Sequence, residues 1–305
     1  MKDREPLIKE KVDKRLFGFF FIILGSICAG TLGVFVKFGY KYGATPITLL
    51  FIRYITGTAF FWIVTLLLRY KIERIGKKDL LILFSGSIFL FISSMCYFYA
   101  LTYITIPLAI TIVYLYPALV TLLAFALFKE KLGKIKTVAL FLSFAGCIIL
   151  TKLFNSSGII LNPTGIILSL VCAFSVAMYT IIIQKTLNKY RIFDTAVYFT
   201  TFSGVMISIF ILPRYQILIS LNVKVWLVGI FMAFFTIFLT RILFFLGIKY
   251  VGASRMSIIA SSELIFASIL AFIFLGESLD IVQGIGALLI FIGAILVNFD
   301  HPGKL

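Results

Sequence analysis

The chain has 305 residues, of which 62% are hydrophobic and 13% charged, with a mean hydropathy of +1.13. A soluble domain is about 45–50% apolar and about 25% charged, so a water-soluble enzyme and a disordered chain are both excluded. The formal charge of +16 then belongs to basic loops on one side of a membrane rather than to a nucleic-acid surface.

A basic tail, residues 1–15, opens the chain with Lys2, Arg4, Lys9, Lys11, Lys14 and Arg15. It is weakly amphipathic and reads as a solvated segment that sets topology. Ten apolar runs follow: 16–38, 46–68, 79–100, 105–128, 135–153, 164–185, 193–213, 225–248, 254–275 and 281–299. Each is long enough for a helix that crosses a bilayer, which takes about 20 residues, and too long for a barrel strand. The first run is followed by nine more, so it is expected to stay as a helix rather than leave as a signal peptide. The fold class expected is an all-α polytopic membrane protein.

The connections are short. The longest, 154–163, ends at Asn162-Pro163 and divides the spans five and five. The expected organisation is therefore a first repeat at 16–153, a linker at 154–163, a second repeat at 164–299 and a tail at 300–305. With the amino terminus placed in the cytoplasm, inside segments carry 21 Lys and Arg and outside segments 5. That bias puts both termini in the cytoplasm of a multi-pass protein of the plasma (inner) membrane. Cys28, Cys96, Cys147 and Cys172 lie in apolar runs without metal-ligand spacing, and His301 is the lone histidine. No metal site and no cofactor is expected.

Residues 103–132 align without gaps to 250–279, an offset of 147. Tyr103/Tyr250, Ile112/Ile259, Leu123/Leu270, Ala124/Ala271, Phe125/Phe272, Glu130/Glu277 and Leu132/Leu279 are identical. Glu130 and Glu277 carry most weight, because each closes a span at the same place in its half. A weaker match at offset 144 pairs Cys28-Ala29 with Cys172-Ala173 and Lys41 with Lys185. Five spans per half is an odd number, so the halves enter the membrane with opposite orientation, the arrangement of many secondary transporters.

These features resemble the drug/metabolite transporter superfamily in its ten-helix EamA-type branch. The resemblance runs over about 16–299 and is carried by several features. They are the 5+5 spans, Gly30 followed by Lys37, Arg53 after Pro46, and the span-end acids in Phe128-Lys129-Glu130-Lys131-Leu132 and Leu275-Gly276-Glu277-Ser278-Leu279. Tyr116-Pro117 and Ser262-Glu263 stand where the family often has an acid or polar residue followed by proline. Three positions depart from the family pattern: Ala29, Leu264 and Arg241. The resemblance implies a secondary transporter of a small metabolite, with export of amino acids or related zwitterions as the first expectation.

Charges inside spans cost about 2.5–3.5 kcal/mol and face the bundle interior. Arg241 and Glu263 fall at depths of about 10 and 14 Å from the same face, on consecutive antiparallel spans, and are expected within reach of one another. As a recognition pair they would hold a carboxylate and an ammonium. Glu263 could instead take a proton and couple it to transport, or the two could form a structural ion pair. The repeat carries Arg241 to Ser94 and Glu263 to Tyr116, so Ser94, Tyr97, Tyr116 and Ser262 join them as substrate-binding candidates. Arg53, Lys37, Glu130 and Glu277 are expected to be structural. Pro107 and Pro117 are expected to kink the fourth span, and Gly284, Gly286 and Gly293 to pack the tenth closely.

No nucleotide-binding loop, protease constellation or K⁺ filter is present, so catalysis is not expected. The partners expected are a small-molecule substrate and the bilayer, with no nucleic acid, for a monomer or homodimer. Transport of a cationic or anionic metabolite is the alternative. A non-transporting sensor or partner subunit is the reading from another class.

Overall fold

The computed structural model describes residues 5–130, 133–153, 162–211 and 221–299. Every regular element among the described residues is a helix. Among the described residues, helices stand at all ten predicted apolar runs, and eight of them are long and apolar enough to cross a membrane. The linker predicted at 154–163 lies outside the described residues up to position 161, as does the tail 300–305.

The first span is Glu5–Gly30 continued by Leu32–Lys41, so its helix reaches back through much of the basic tail. A tight turn at Thr31 separates the two pieces, with the Thr31 hydroxyl donating to the Cys28 carbonyl at 2.6 Å. The second span, Pro46–Leu67, starts at a reciprocal cap: Thr45 and Thr48 exchange side-chain and backbone hydrogen bonds, and Pro46 takes the first turn. The third span is Lys77–Ala100 and the fifth Lys134–Leu150. The sixth, Pro163–Leu187, is capped by Asn162, which accepts from Thr164 N at 2.9 Å. The seventh is Ile192–Ile211 and the tenth Ile281–Phe299. The eighth runs from Val223 to Val251 and widens into a π-helix at Phe234–Leu239.

The fourth and ninth spans carry the internal symmetry. The fourth is Ile106–Val113 followed by Tyr116–Phe128, and the ninth is Ala253–Ala260 followed by Glu263–Leu275. All four boundaries differ by 147, the offset read from the sequence. The register continues past the helix ends. Lys129 (φ 55°) and Gly276 (φ 67°) both adopt the left-handed turn that closes a helix. Glu130 N and Glu277 N then donate to Ala124 O and Ala271 O, each at 3.4 Å. Pro117 follows the break in the fourth span, as predicted, but Leu264 stands at its equivalent in the ninth. The break therefore belongs to the repeat and does not depend on proline.

The fifth and tenth spans pack side by side through small residues. A Cβ at Gly286 would meet Leu150 N at 2.6 Å, and one at Gly146 would meet Gly286 O at 2.6 Å. Only glycine permits backbones this close. The other eight spans enclose a central cavity. Large apolar side chains remain exposed around the outside, including Leu67 at 78% and Ile281 at 85%. In water such a surface would aggregate, whereas in lipid it is the expected exterior.

Candidate functional site

The cavity has a volume of about 450 Å³, within the range of sites for small metabolites. All eight enclosing spans contribute to its wall, and the fifth and tenth do not. Among the predicted residues, Arg241, Glu263, Tyr116, Tyr97 and Ser94 line it together. Ser262 does not: it is fully buried at the break of the ninth span, and its hydroxyl has no hydrogen-bond partner among the described residues.

Arg241 lies one residue beyond the π-helix. Its Nη1 donates to the Thr200 hydroxyl at 2.7 Å, and the guanidinium lies over the Phe199 ring at 4.8 Å. These contacts draw it toward the seventh span. No ion pair joins it to Glu263 among the described residues, although both line the same cavity. Glu263 opens the second half of the ninth span, immediately after the break, and no hydrogen bond from a described side chain reaches it.

Arg53 was predicted to be structural, yet it too lines the cavity. Its Nε donates to the Thr236 hydroxyl at 2.8 Å and its Nη2 to the Thr236 carbonyl at 3.2 Å. Thr236 sits in the π-helix, and its own hydroxyl donates to Met232 O at 2.7 Å, which turns an oxygen lone pair toward Arg53. A π-turn loosens the ordinary backbone ladder and often marks a functional place. The stretch Phe234–Leu239 contains neither proline nor glycine, so nothing in its sequence signals the turn. Sequence reasoning also missed Tyr54 and Tyr179, which line the same wall.

The two ends of the bundle differ. At one end Glu130 accepts from Lys136 and from Gln184, each at 3.3 Å, and Gln184 accepts from Ala253 N at 2.6 Å. Lys136 is 4% exposed there. The loops at this end are tied as well: Arg191 bridges to Asp194 at 2.8 Å and Glu73 at 3.4 Å, and Lys189 and Tyr190 hold Asp79. Ile183, Phe245, Ile248 and Met256, which line the cavity on this side, are buried. At the opposite end Glu277 pairs with Lys37, both about half exposed, and Lys152 pairs with Asp280 at 2.8 Å. Gly33, on the cavity wall toward that end, is exposed.

The offset of 147 relates these two clusters. It carries Gln184 onto Lys37 and Lys136 onto Gln283, so each acid faces one lysine and one glutamine position with the two types exchanged. The first and sixth spans thus follow the offset 147 in this contact, rather than the weaker 144. Gln283 does not reach Glu277 here. It is engaged with Asp280 and with the Leu150 carbonyl.

Comparison with known proteins identifies the fold's family. The model of the EamA-like transporter family matches residues 16–152 and again 163–299. The chain belongs to the EamA-like transporter family. It is 24% identical over 287 residues to the uncharacterized transporter YxxF of Bacillus subtilis (strain 168), covering 93% of this chain and 90% of that one. It is 24% identical to an uncharacterized transporter of Archaeoglobus fulgidus over 90% of this chain and 94% of that one. A crystal structure 18% identical in sequence superposes with a TM-score of 0.76, over 93% of this chain and 96% of the other. That likeness concerns the fold. Two family matches on a ten-span helical chain make this a multi-pass integral membrane protein of a transporter family.

Proposed function

We propose that the protein is a secondary transporter that carries a small zwitterionic metabolite, an amino acid or a close relative, by alternating access. The observation that carries this reading is the central cavity in which Arg241 and Glu263, opposite in charge, make no ion pair with each other. A structural ion pair would join them. Held apart, the guanidinium offers its planar fork to a carboxylate, and Glu263 receives an ammonium group. Both charges sit in a span interior, where an unused charge is costly.

The repeat supports the alternating part. Two halves with the same break, the same helix ends and equivalent end clusters provide two packings of similar energy. In this structure the Glu130 end is closed by a buried cluster while the Glu277 end holds exposed pairs. With the orientation that the Lys and Arg distribution favours, Glu130 is cytoplasmic, and the conformation is closed to the cytoplasm.

The test is thermal stability of the purified protein with neutral zwitterions, cations and monoanions. A ligand at about 100 times its dissociation constant stabilises by about 2.7 kcal/mol. Neutral zwitterions are expected to stabilise the wild type and to lose that effect in Arg241→Gln and Glu263→Gln, with both variants folded. Stabilisation by cations alone, or unchanged zwitterion binding in both variants, contradicts the reading.

A further inference from the structure

We propose that the cavity holds a second anion site at Arg53, and that the substrate is an acidic zwitterion carrying two anionic groups and one ammonium. The inference rests on the cavity being the substrate site, and it deepens that reading by naming the charge of the solute.

Three charged side chains line the cavity: Arg53, Arg241 and Glu263. Two guanidiniums face one carboxylate, which leaves one positive charge in excess within a membrane-embedded space. A neutral zwitterion leaves that excess in place. A solute with net charge −1 removes it. In a low-dielectric interior an unbalanced charge is the expensive arrangement, and a neutral complex is favoured.

Each guanidinium is positioned by neutral protein acceptors. Arg53 is held by the hydroxyl and carbonyl of Thr236, and Arg241 by the Thr200 hydroxyl. Neither has a carboxylate in ion-pair contact among the described residues, and Glu263 is the one acid on the cavity wall to set against both. Nη1 of Arg53 makes no hydrogen bond to a described residue, which leaves one edge of its fork for a ligand. The anchor of Arg53 and the backbone of Arg241 are five residues apart on the eighth span, so roughly 7 Å of helix rise separates them. One small molecule within about 450 Å³ can meet both. A guanidinium bound only to snorkelling or packing partners would point to an end of its span. Arg53 instead directs its hydrogen bonds sideways, to Thr236 in the π-turn of the neighbouring span.

The test is equilibrium binding, by calorimetry on purified full-length protein, of aspartate, glutamate, alanine, serine and succinate. The wild type is expected to bind an amino dicarboxylate at least about tenfold tighter than alanine or serine, the scale of one added charge-assisted contact. Succinate, which lacks the ammonium, is expected to bind more weakly than aspartate. Arg53→Gln keeps a donor for Thr236 and is expected to bring the aspartate-to-alanine ratio to about one. Thr236→Val keeps the charge but releases the guanidinium, and is expected to lower the same ratio by a smaller factor, which serves if Arg53→Gln does not fold. An unaltered ratio in both variants overturns the proposal, as does aspartate binding no tighter than alanine. Neutral zwitterion binding with no acidic preference overturns this inference alone. Absence of any zwitterion binding overturns the zwitterion reading with it.

Discussion

Removing the Glu130 carboxylate is predicted to release the closed end of the bundle. In Glu130→Gln the Lys136 ammonium, 4% exposed, loses its ion-pair partner. Stripping one partner from a buried pair costs about 3–5 kcal/mol, and the 24% exposure of Glu130 argues for the lower figure. About 3 kcal/mol taken from the closed state shifts its population by about two decades. Glu277→Gln acts on an equivalent acid whose pair is 57% and 48% exposed, so its effect is at most about 1 kcal/mol. The assay is reactivity toward a polar maleimide in a cysteine-free background carrying Ser254→Cys or Gly33→Cys. Ser254 is fully buried beside Ala253, whereas Gly33 is exposed and has space for a side chain. Glu130→Gln should raise reactivity at position 254 about 100-fold and lower it at 33 as the far end closes. Unfolding would instead raise both. Adding Lys136→Gln removes the stranded charge and should recover most of the stability. Equal effects of Glu130→Gln and Glu277→Gln, or no change at position 254, refute the reasoning.

Other consequences follow from the same structure. Gly286→Val forces a side chain into the Leu150 backbone, where even a Cβ would lie 2.6 Å from Leu150 N, and should cost about 3 kcal/mol or more. Gly284→Val, with nothing within reach of its Cβ, should leave the thermal midpoint nearly unchanged. Lys129→Gly places glycine in a left-handed turn (φ 55°), as its repeat partner Gly276 already does, and should raise stability by up to about 1 kcal/mol in a denaturation series. A hydrogen bond from Lys152 holds the Asp280 carboxyl below its ordinary range. Its contribution is therefore complete above that range and lost as pH falls through the depressed value. Asp280→Asn should flatten the acid limb of a stability-against-pH curve, and an unchanged limb would contradict the pairing.

The spans were legible because lipid leaves one solution for a backbone in its core, and apolar length reports it directly. The repeat was legible through Glu130 and Glu277, since charges that end spans stand out against apolar composition. The structure places helix boundaries, left-handed turns and acid contacts at that same offset. The site was legible only in part. Span depth put Arg241 and Glu263 in the bundle interior, and both line the cavity, but depth fixes no rotation about the helix axis. The pull of Thr200 and Phe199 on Arg241 lies in packing between the seventh and eighth spans. The contact of Arg53 with Thr236 was not legible, because its partner belongs to a π-turn with no residue that announces one. Gln184, which joins Glu130 to the start of the ninth span, has nothing in its sequence context that marks it.

Saturable flux in proteoliposomes bears most directly on the central claim. Purified protein reconstituted with an internal zwitterion should exchange it for the same labelled solute outside, with saturation. Arg241→Gln and Glu263→Gln should abolish the exchange while keeping the wild-type fold. Exchange that proceeds unchanged in both variants, or no saturable exchange of any zwitterion by folded wild-type protein, would contradict the account.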